Sequence, residues 1–229
     1  MSASPVPAGT PLQSYKLRRG RMGVERTEAL ATHLPRYAVP AGPGRLDLQH
    51  LFGDDHPVVL EIGSGMGDAT LAMAQADPGT NVVAAEVHTP GIGALLQGLV
   101  EHGVENVRLL EGDGRELLDA RITPGALAGV RVYFPDPWPK ARHHKRRLVQ
   151  PDFVALVADR LAPGGTLHCA TDWEPYAEQM VEVIGADPRF EVSADRSRPA
   201  WRPQTRFERR GLALGHVVTD VLATQVSRP

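Results

Sequence analysis

The chain reads as an α/β protein built on a mostly parallel, seven-stranded sheet in which one strand is antiparallel. Three observations predict this. Short apolar runs alternate with helical stretches from Val58 onward. Five successive predicted strands carry an acid at or just past their carboxyl ends: Glu61, Glu86, Asp113, Asp136 and Asp172. The first of these strands runs into Gly63-Ser64-Gly65-Met66-Gly67, a glycine-rich turn that opens a helix. Strand–helix alternation implies βαβ units, whose crossovers are right-handed.

Residues 1–13 are rich in Pro, Ala and Ser and are expected to form a disordered tail. Residues 14–45 read as a basic arm with Lys16, Arg18, Arg19, Arg21 and Arg26, and 46–229 as the main domain. Leu46 to Phe52 fits a short helix or strand. Val58 to Ile62 is the first regular strand, and Asp68 to Ala76 the helix after the glycines. Asn81 to Val87 is a second strand, Gly91 to His102 a helix, Asn106 to Leu110 a third strand and Arg115 to Ala120 a short helix. Val130 to Phe134 is a fourth strand, Pro151 to Leu161 a helix, Thr166 to Thr171 a fifth strand and Pro175 to Ile184 a helix. Phe190 to Ala194 and Gly215 to Gln225 complete the sheet. No full helix is expected between these last two, so one of them should run antiparallel.

Composition narrows the function. Net charge is −2 over 229 residues, so any nucleic-acid contact needs a local basic patch rather than global charge. Cys169 is the single cysteine, which excludes an internal disulfide or a cysteine zinc cage. It lies in a predicted strand and reads as a buried small hydrophobe. No apolar run approaches the roughly 20 residues needed to span a bilayer. No secretory leader pattern stands at the N-terminus. A cytoplasmic protein without metal or membrane partner is expected, as a monomer or homodimer.

In an open α/β sheet, ligands bind outside the carboxyl ends of the strands. The row of acids therefore marks a ligand edge. Glycines let a cofactor approach the backbone. Glu86 follows Gly65 by about 20 residues, the distance at which a strand-end acid takes a ribose diol. A dinucleotide would bring a pyrophosphate against this acidic rim, at Coulombic cost. S-adenosylmethionine has a sulfonium and an ammonium group and no phosphate, so the rim suits it. Glu86 would take its ribose hydroxyls, Asp113 its adenine amino group, and Glu61 would stand near its methionine end.

The segment 131–147 adds the substrate side: Arg-Val-Tyr-Phe-Pro-Asp-Pro-Trp-Pro-Lys-Ala-Arg-His-His-Lys-Arg-Arg. A carboxylate between two prolines stands beside an aromatic and a basic run. That combination suits a flat polar base within a phosphate-bearing polymer. Trp138 has two open readings, stacking on a base or sealing the core. Thr205-Arg206-Phe207-Glu208 fits a capping box, in which threonine and glutamate close a helix N-terminus.

These segments resemble the bacterial tRNA (guanine-N7-)-methyltransferase family. The likeness rests on Glu61 to Gly67, Glu86 to Gly91, Phe134-Pro-Asp-Pro-Trp-Pro-Lys140 with Arg142 to Arg147, Ala170 to Tyr176, and Thr205 to Gly211. It runs over roughly residues 14 to 221. Glu25 and Glu28 depart from it, standing where the family carries glutamine. The resemblance implies a Rossmann-like class I S-adenosylmethionine-dependent methyltransferase fold and a guanine at position 46 of the tRNA variable loop. It implies cofactor contacts at Glu61, Gly63, Gly65, Glu86, Asp113 and Asp136. It implies substrate contacts at Lys140, Asp172, Thr205, Arg206, Phe207 and Glu208. RNA contacts fall to Arg142, His143, His144, Lys145, Arg146 and Arg147. Asp136 is the candidate catalytic residue, acting by positioning and charge. Two rivals are a non-catalytic RNA-binding protein on the same scaffold and a nicotinamide-dependent dehydrogenase. The intact acidic and glycine positions speak against the first, and the glycine spacing against the second.

Overall fold

The structure is a computed structural model that describes residues 14–15 and 23–226. The expected tail at 1–13, together with Lys16, Arg18, Arg19, Arg21 and the Arg26 side chain, lies outside the described residues. Five strands alternate with helices as expected: β1 (Val58–Ile62), α3 (Asp68–Ala76), β2 (Asn81–Glu86), α4 (Thr89–Glu101), β3 (Val107–Glu111), α5 (Gly114–Arg121), β4 (Leu127–Tyr133), α6 (Pro151–Arg160) and β5 (Leu161–Thr171). Then follow α7 (Glu174–Ala186), β6 (Phe190–Val192), α8 (Arg206–Ala213) and β7 (Thr219–Gln225). Among the described residues, two helices precede β1, α1 (Val24–Tyr37) and α2 (Leu48–Phe52).

The sheet order is β3-β2-β1-β4-β5-β7-β6. Only β7 runs antiparallel to its neighbours, β5 and β6. The chain switches direction of travel between the adjacent strands β1 and β4, and such a switch point opens a crevice at the carboxyl edge.

Period-two alternation decides which residues face which layer. Leu60, Val130, Leu167 and Ala223 form one register row and join the core under α5, α6 and α7. Val82, Ala84, Val107 and Leu109 face the other way, against Ile92, Leu95, Leu96 and Leu99 of α4. Burying each valine, leucine or isoleucine among these stabilises the fold by about 1.5–3 kcal/mol, and each alanine by less. Cys169 belongs to the first core, and burial pushes its thiol up to about 12. The same alternation places Glu61, Arg131 and His168 in one row on the face that carries α3.

Three expectations need correction. Part of the expected basic arm is a helix within the folded unit. Leu30, Leu34 and Tyr37 of α1 recur at helical spacing and pack on the α4 core, and Val39 N–H donates to Leu109 O at 2.8 Å. These contacts join α1 and Val39 to the sheet and α4. The second correction concerns the sheet's end, where a helix, α8, does stand between β6 and β7. Its capping box starts it and its exposed face is charged, so no apolar periodicity announced it. Finally, β5 begins at Leu161 rather than Thr166, and a register shift against β4 between Leu127 and Gly129 absorbs the glycines there.

Candidate active site

The turn after β1 is shaped by backbone requirements. Gly63, Gly65 and Gly67 all have left-handed φ, of 83°, 59° and 82°. A Cβ on Gly67 would lie 2.5 Å from Leu95 Cβ, so only glycine lets the turn reach α4. Gly91 meets the loop from the α4 side, where a Cβ would fall 2.2 Å from Gly65 O. Glu86 clamps the assembly. Its Oε2 accepts from Gly65 N–H at 2.7 Å and its Oε1 from His88 N–H at 2.8 Å. A carboxylate oxygen has two acceptor sites, so these bonds leave capacity for a ligand diol.

The five acids lie along the carboxyl edge of β1 to β5, because those strands are parallel and each acid ends or follows its strand. Glu61 is buried, and its Oε1 accepts from Thr70 Oγ1 at 3.1 Å. Its Oε2 is buried with no hydrogen-bond partner among the described residues. Burial pushes the Glu61 carboxyl above its ordinary range, with the Arg131 guanidinium pulling the other way. Asp113 is half-buried and caps α5 by accepting from Arg115 N–H at 2.8 Å. Asp172 Oδ2 lies 3.0 Å from His216 Nδ1. A glycine cradle and an orphaned buried carboxylate oxygen fit a ligand that carries positive charge and no phosphate.

Asp136 sits in a strained turn. Phe134 and Trp138, on either side of Pro135-Asp136-Pro137, have φ of 52° and 43°. Non-glycine residues in this region cost about 1–3 kcal/mol each and persist where neighbours over-determine them. The neighbours are visible. Phe134 N–H donates to Ala170 O at 2.7 Å, and Trp138 Nε1–H to Ser14 O at 3.0 Å. The Arg146 guanidinium lies 4.7 Å over the buried Trp138 ring, and the His143 ring meets it edge-on at 5.8 Å. Trp138 therefore seals the turn against the core instead of presenting a stacking face.

Beyond it, Ala141–Arg146 forms a 3-10 turn. Lys140, Arg142 and Lys145 are exposed, while His143, His144 and Arg146 are half-buried. Arg147 is a correction: it is only 3% exposed and faces inward. Its Nε–H donates to Pro137 O at 2.9 Å, its Nη1 to Gln179 Oε1 at 2.5 Å, and its guanidinium lies 4.8 Å over the Tyr176 ring. It braces the turn from beneath and cannot reach a phosphate without unpacking.

The capping box at α8 is formed, with Glu208 N–H donating to Thr205 Oγ1 at 3.0 Å. Arg206 Nε lies 3.0 Å from Asp68 Oδ2 at the start of α3, which brings α8 over the glycine turn. Phe207 is 55% exposed, with its ring 5.2 Å from that of Phe134. Glu208 is the second site correction: it is buried and both its oxygens are bonded to Arg202, at 2.7 and 3.1 Å. Arg202 also donates to both Asp220 oxygens, at 2.7 and 2.8 Å, and Asp220 Oδ1 pairs with His168 Nε2 at 2.7 Å. Tyr133 Oη closes the chain on His168 Nδ1 at 2.9 Å. None of Arg131, His168, Arg202 and Asp220 was expected from the sequence. The one signal was position, since Arg131, His168 and Asp220 are polar residues within otherwise apolar strands.

Among the described residues, no three His, Cys, Asp or Glu side chains group as metal ligands, and no helix is long and apolar enough to cross a membrane. A family described as "Putative methyltransferase" matches residues 55–221. A tRNA (guanine-N(7)-)-methyltransferase of Streptomyces avermitilis is 51% identical over 219 residues, covering 94% of this chain and 76% of that protein. Its counterpart in Streptomyces coelicolor is 53% identical over 221 residues, covering 94% and 81%. Among solved structures, that of the 16S rRNA methyltransferase KamB superposes with a TM-score of 0.59 at 17% identity, covering 80% of this chain and 95% of the other. At that identity the likeness speaks for the fold alone. The sheet order, glycine cradle and acidic edge define a class I S-adenosylmethionine-dependent methyltransferase. Within that class, the chain belongs to the tRNA (guanine-N(7)-)-methyltransferase family.

Proposed function

We propose that this chain transfers a methyl group from S-adenosylmethionine to N7 of guanine at position 46 of the tRNA variable loop. Family membership supports the reaction. The observation that supports the site assignment is the strained Phe134–Trp138 turn, which carries Asp136 just past the end of β4 and leads into the basic 3-10 turn. The cofactor supplies a methyl group on a sulfonium sulfur. Glu61, Gly63, Gly65, Glu86, Asp113 and Asp136 would hold it.

Guanine N7 has an in-plane lone pair and no proton to lose, so no strong general base is required. Catalysis then rests on alignment of the nucleophile with the methyl group. A carboxylate at Asp136 would stabilise the positive charge that the base gains on methylation. Lys140, Asp172, Thr205, Arg206 and Phe207 surround the guanine, with His216 orienting Asp172. Arg142, His143, His144, Lys145 and Arg146 meet RNA phosphates, which gives affinity more than sequence choice. A tRNA substrate supports a cytoplasmic location for the activity.

The test is incubation with methyl-labelled cofactor and unmodified tRNA, followed by digestion to nucleosides. Label in 7-methylguanosine, lost when the guanine at position 46 is replaced by adenine, is the expected result. Bound tRNA without labelled 7-methylguanosine rules the reading out.

A further inference from the structure

Glu61 and Arg131 are direct register partners on β1 and β4, and Arg131 is the partner of His168 on β5. Paired positions of a parallel sheet project to the same face. Two buried polar atoms in this row have no hydrogen-bond partner among the described residues: Glu61 Oε2 and Arg131 Nη1. They belong to neighbouring residues of opposite charge. Glu61 Oε1 accepts from Thr70, and no hydrogen bond joins Arg131 to Glu61 among the described residues, so the guanidinium acts on Glu61 through space. Arg131 is held in place by the Trp201 ring, 5.4 Å from its guanidinium carbon.

A buried carboxylate tends to take up a proton unless a cation stands near it. The groups that bear on Glu61 are Thr70 from α3, Glu86 at the end of β2, and Arg131 and Tyr133 from β4. Of these, only Arg131 is a cation. Burial and Glu86 favour the neutral acid, whereas Arg131 and the Thr70 hydroxyl oppose them. A neutral Glu61 would lose its attraction for a cationic ligand end.

We propose that Arg131 is a positioning residue, the countercharge that keeps Glu61 a carboxylate for the cationic methionine end of the cofactor. This rests on the assignment of Glu61 to the cofactor made above. Arg131 touches neither cofactor nor guanine. Its influence is exerted across the sheet, through the protonation state of its neighbour.

The experiment follows Glu61 itself. Carbon-13 NMR of the glutamate carboxyls, with Glu61→Gln used for assignment, gives the Glu61 titration midpoint in the full chain without added cofactor. Arg131→Met is expected to raise that midpoint by about one unit or more. Arg131→Lys, which keeps the charge, is expected to stay closer to the unsubstituted protein. Calorimetric titration with S-adenosylmethionine should show the same order: Arg131→Met binds weakly at acidic pH and recovers at a higher pH than the unsubstituted chain. Coincident NMR midpoints for Arg131→Met and the unsubstituted chain overturn the proposal, as does an Arg131→Lys midpoint equal to that of Arg131→Met. A Glu61→Gln chain that binds the cofactor undiminished at every pH overturns the assignment of Glu61. The proposed role falls with it, but the midpoints distinguish the two failures.

Discussion

The Phe207 ring lies 5.2 Å from the Phe134 ring at an interplanar angle of 56°, tying the first turn of α8 to the strained turn that carries Asp136. One ring comes from a residue held in left-handed backbone and the other from a residue more than half exposed. An exposed aromatic on a capped helix adds little to stability. Phe207→Ala should therefore change unfolding free energy by only about 0.5 kcal/mol. It should lower kcat/KM for tRNA by about tenfold, equivalent to about 1.4 kcal/mol of transition-state stabilisation. Thermal melting and steady-state kinetics on one preparation separate the two. Equal losses in both would make Phe207 a folding residue.

Gly91 and Gly185 offer a matched pair of substitutions in helices. A Cβ at Gly91 would press to 2.2 Å from Gly65 O, backbone that cannot swing aside. Gly91→Ala should cost about 1–3 kcal/mol through overpacking. It should also weaken cofactor binding by about tenfold or more, since the cradle must shift. A Cβ at Gly185 in α7 would meet only Val192 Cγ2 at an ordinary 3.8 Å. Gly185→Ala should stabilise by about 0.5 kcal/mol from helix propensity and leave cofactor affinity unchanged. Chemical denaturation and calorimetric titration check both.

Arg146 and Arg147 are adjacent and identical in sequence, yet the fold assigns them opposite duties. The guanidinium of Arg146 lies over Trp138 from the outside, while that of Arg147 is buried on Pro137 O and Gln179. Arg146→Ala should weaken tRNA binding and reduce the salt-dependence slope by about one, at a stability cost of about 0.5–1 kcal/mol for the lost ring contact. Arg147→Ala leaves the half-buried acceptors Pro137 O and Gln179 Oε1 unpaired and should cost about 1–3 kcal/mol of stability in total. Its salt slope for tRNA should match that of the unsubstituted chain. A slope lowered by Arg147→Ala and untouched by Arg146→Ala would reverse these assignments.

That pair also marks where sequence reading stops. The sheet was legible because Val58–Leu60 and Val82–Ala85 are short apolar runs, and because an acid stands at or just past the end of each of the first five strands. Helix α3 was legible from its glycine start to its end at Ala76. By contrast, α1 hides its stripe of Leu30, Leu34 and Tyr37 among charges and places Pro35 in its last turns. Arg147 and Glu208 stand in motifs dense with exposed polar residues, and nothing in spacing says that the fold turns these two inward. Arg202 sits in a proline-flanked loop with no periodicity, yet it is fully buried and joins α8 to β7. Such residues become visible only once long-range pairing brings Asp220 beside them.

The buried chain Tyr133–His168–Asp220–Arg202 sets a pH dependence of stability. A neutral His168 with its proton on Nε2 satisfies both neighbours: Nε2–H donates to Asp220 and Nδ1 accepts from Tyr133. Burial holds His168 below its ordinary value, although Asp220 favours the cation. Burial pushes Asp220 up, but the bonds from His168 and Arg202 outweigh it and hold the carboxyl below its ordinary value. Both groups thus bind protons more readily in the unfolded chain, so stability rises with pH through each window. The His168 contribution is present above about pH 6.5 and is lost as pH falls toward its folded value. The Asp220 contribution is present above about pH 4 and is lost below it. Urea unfolding measured against pH in the unsubstituted chain and in His168→Gln isolates the first window. The substituted chain should be less stable at neutral pH, and the difference between the two should shrink as pH drops from about 6.5 to about 5. A difference that stays constant across that range would mean that His168 is as readily protonated folded as unfolded, and the neutral tautomer bridging Tyr133 and Asp220 would have to be abandoned.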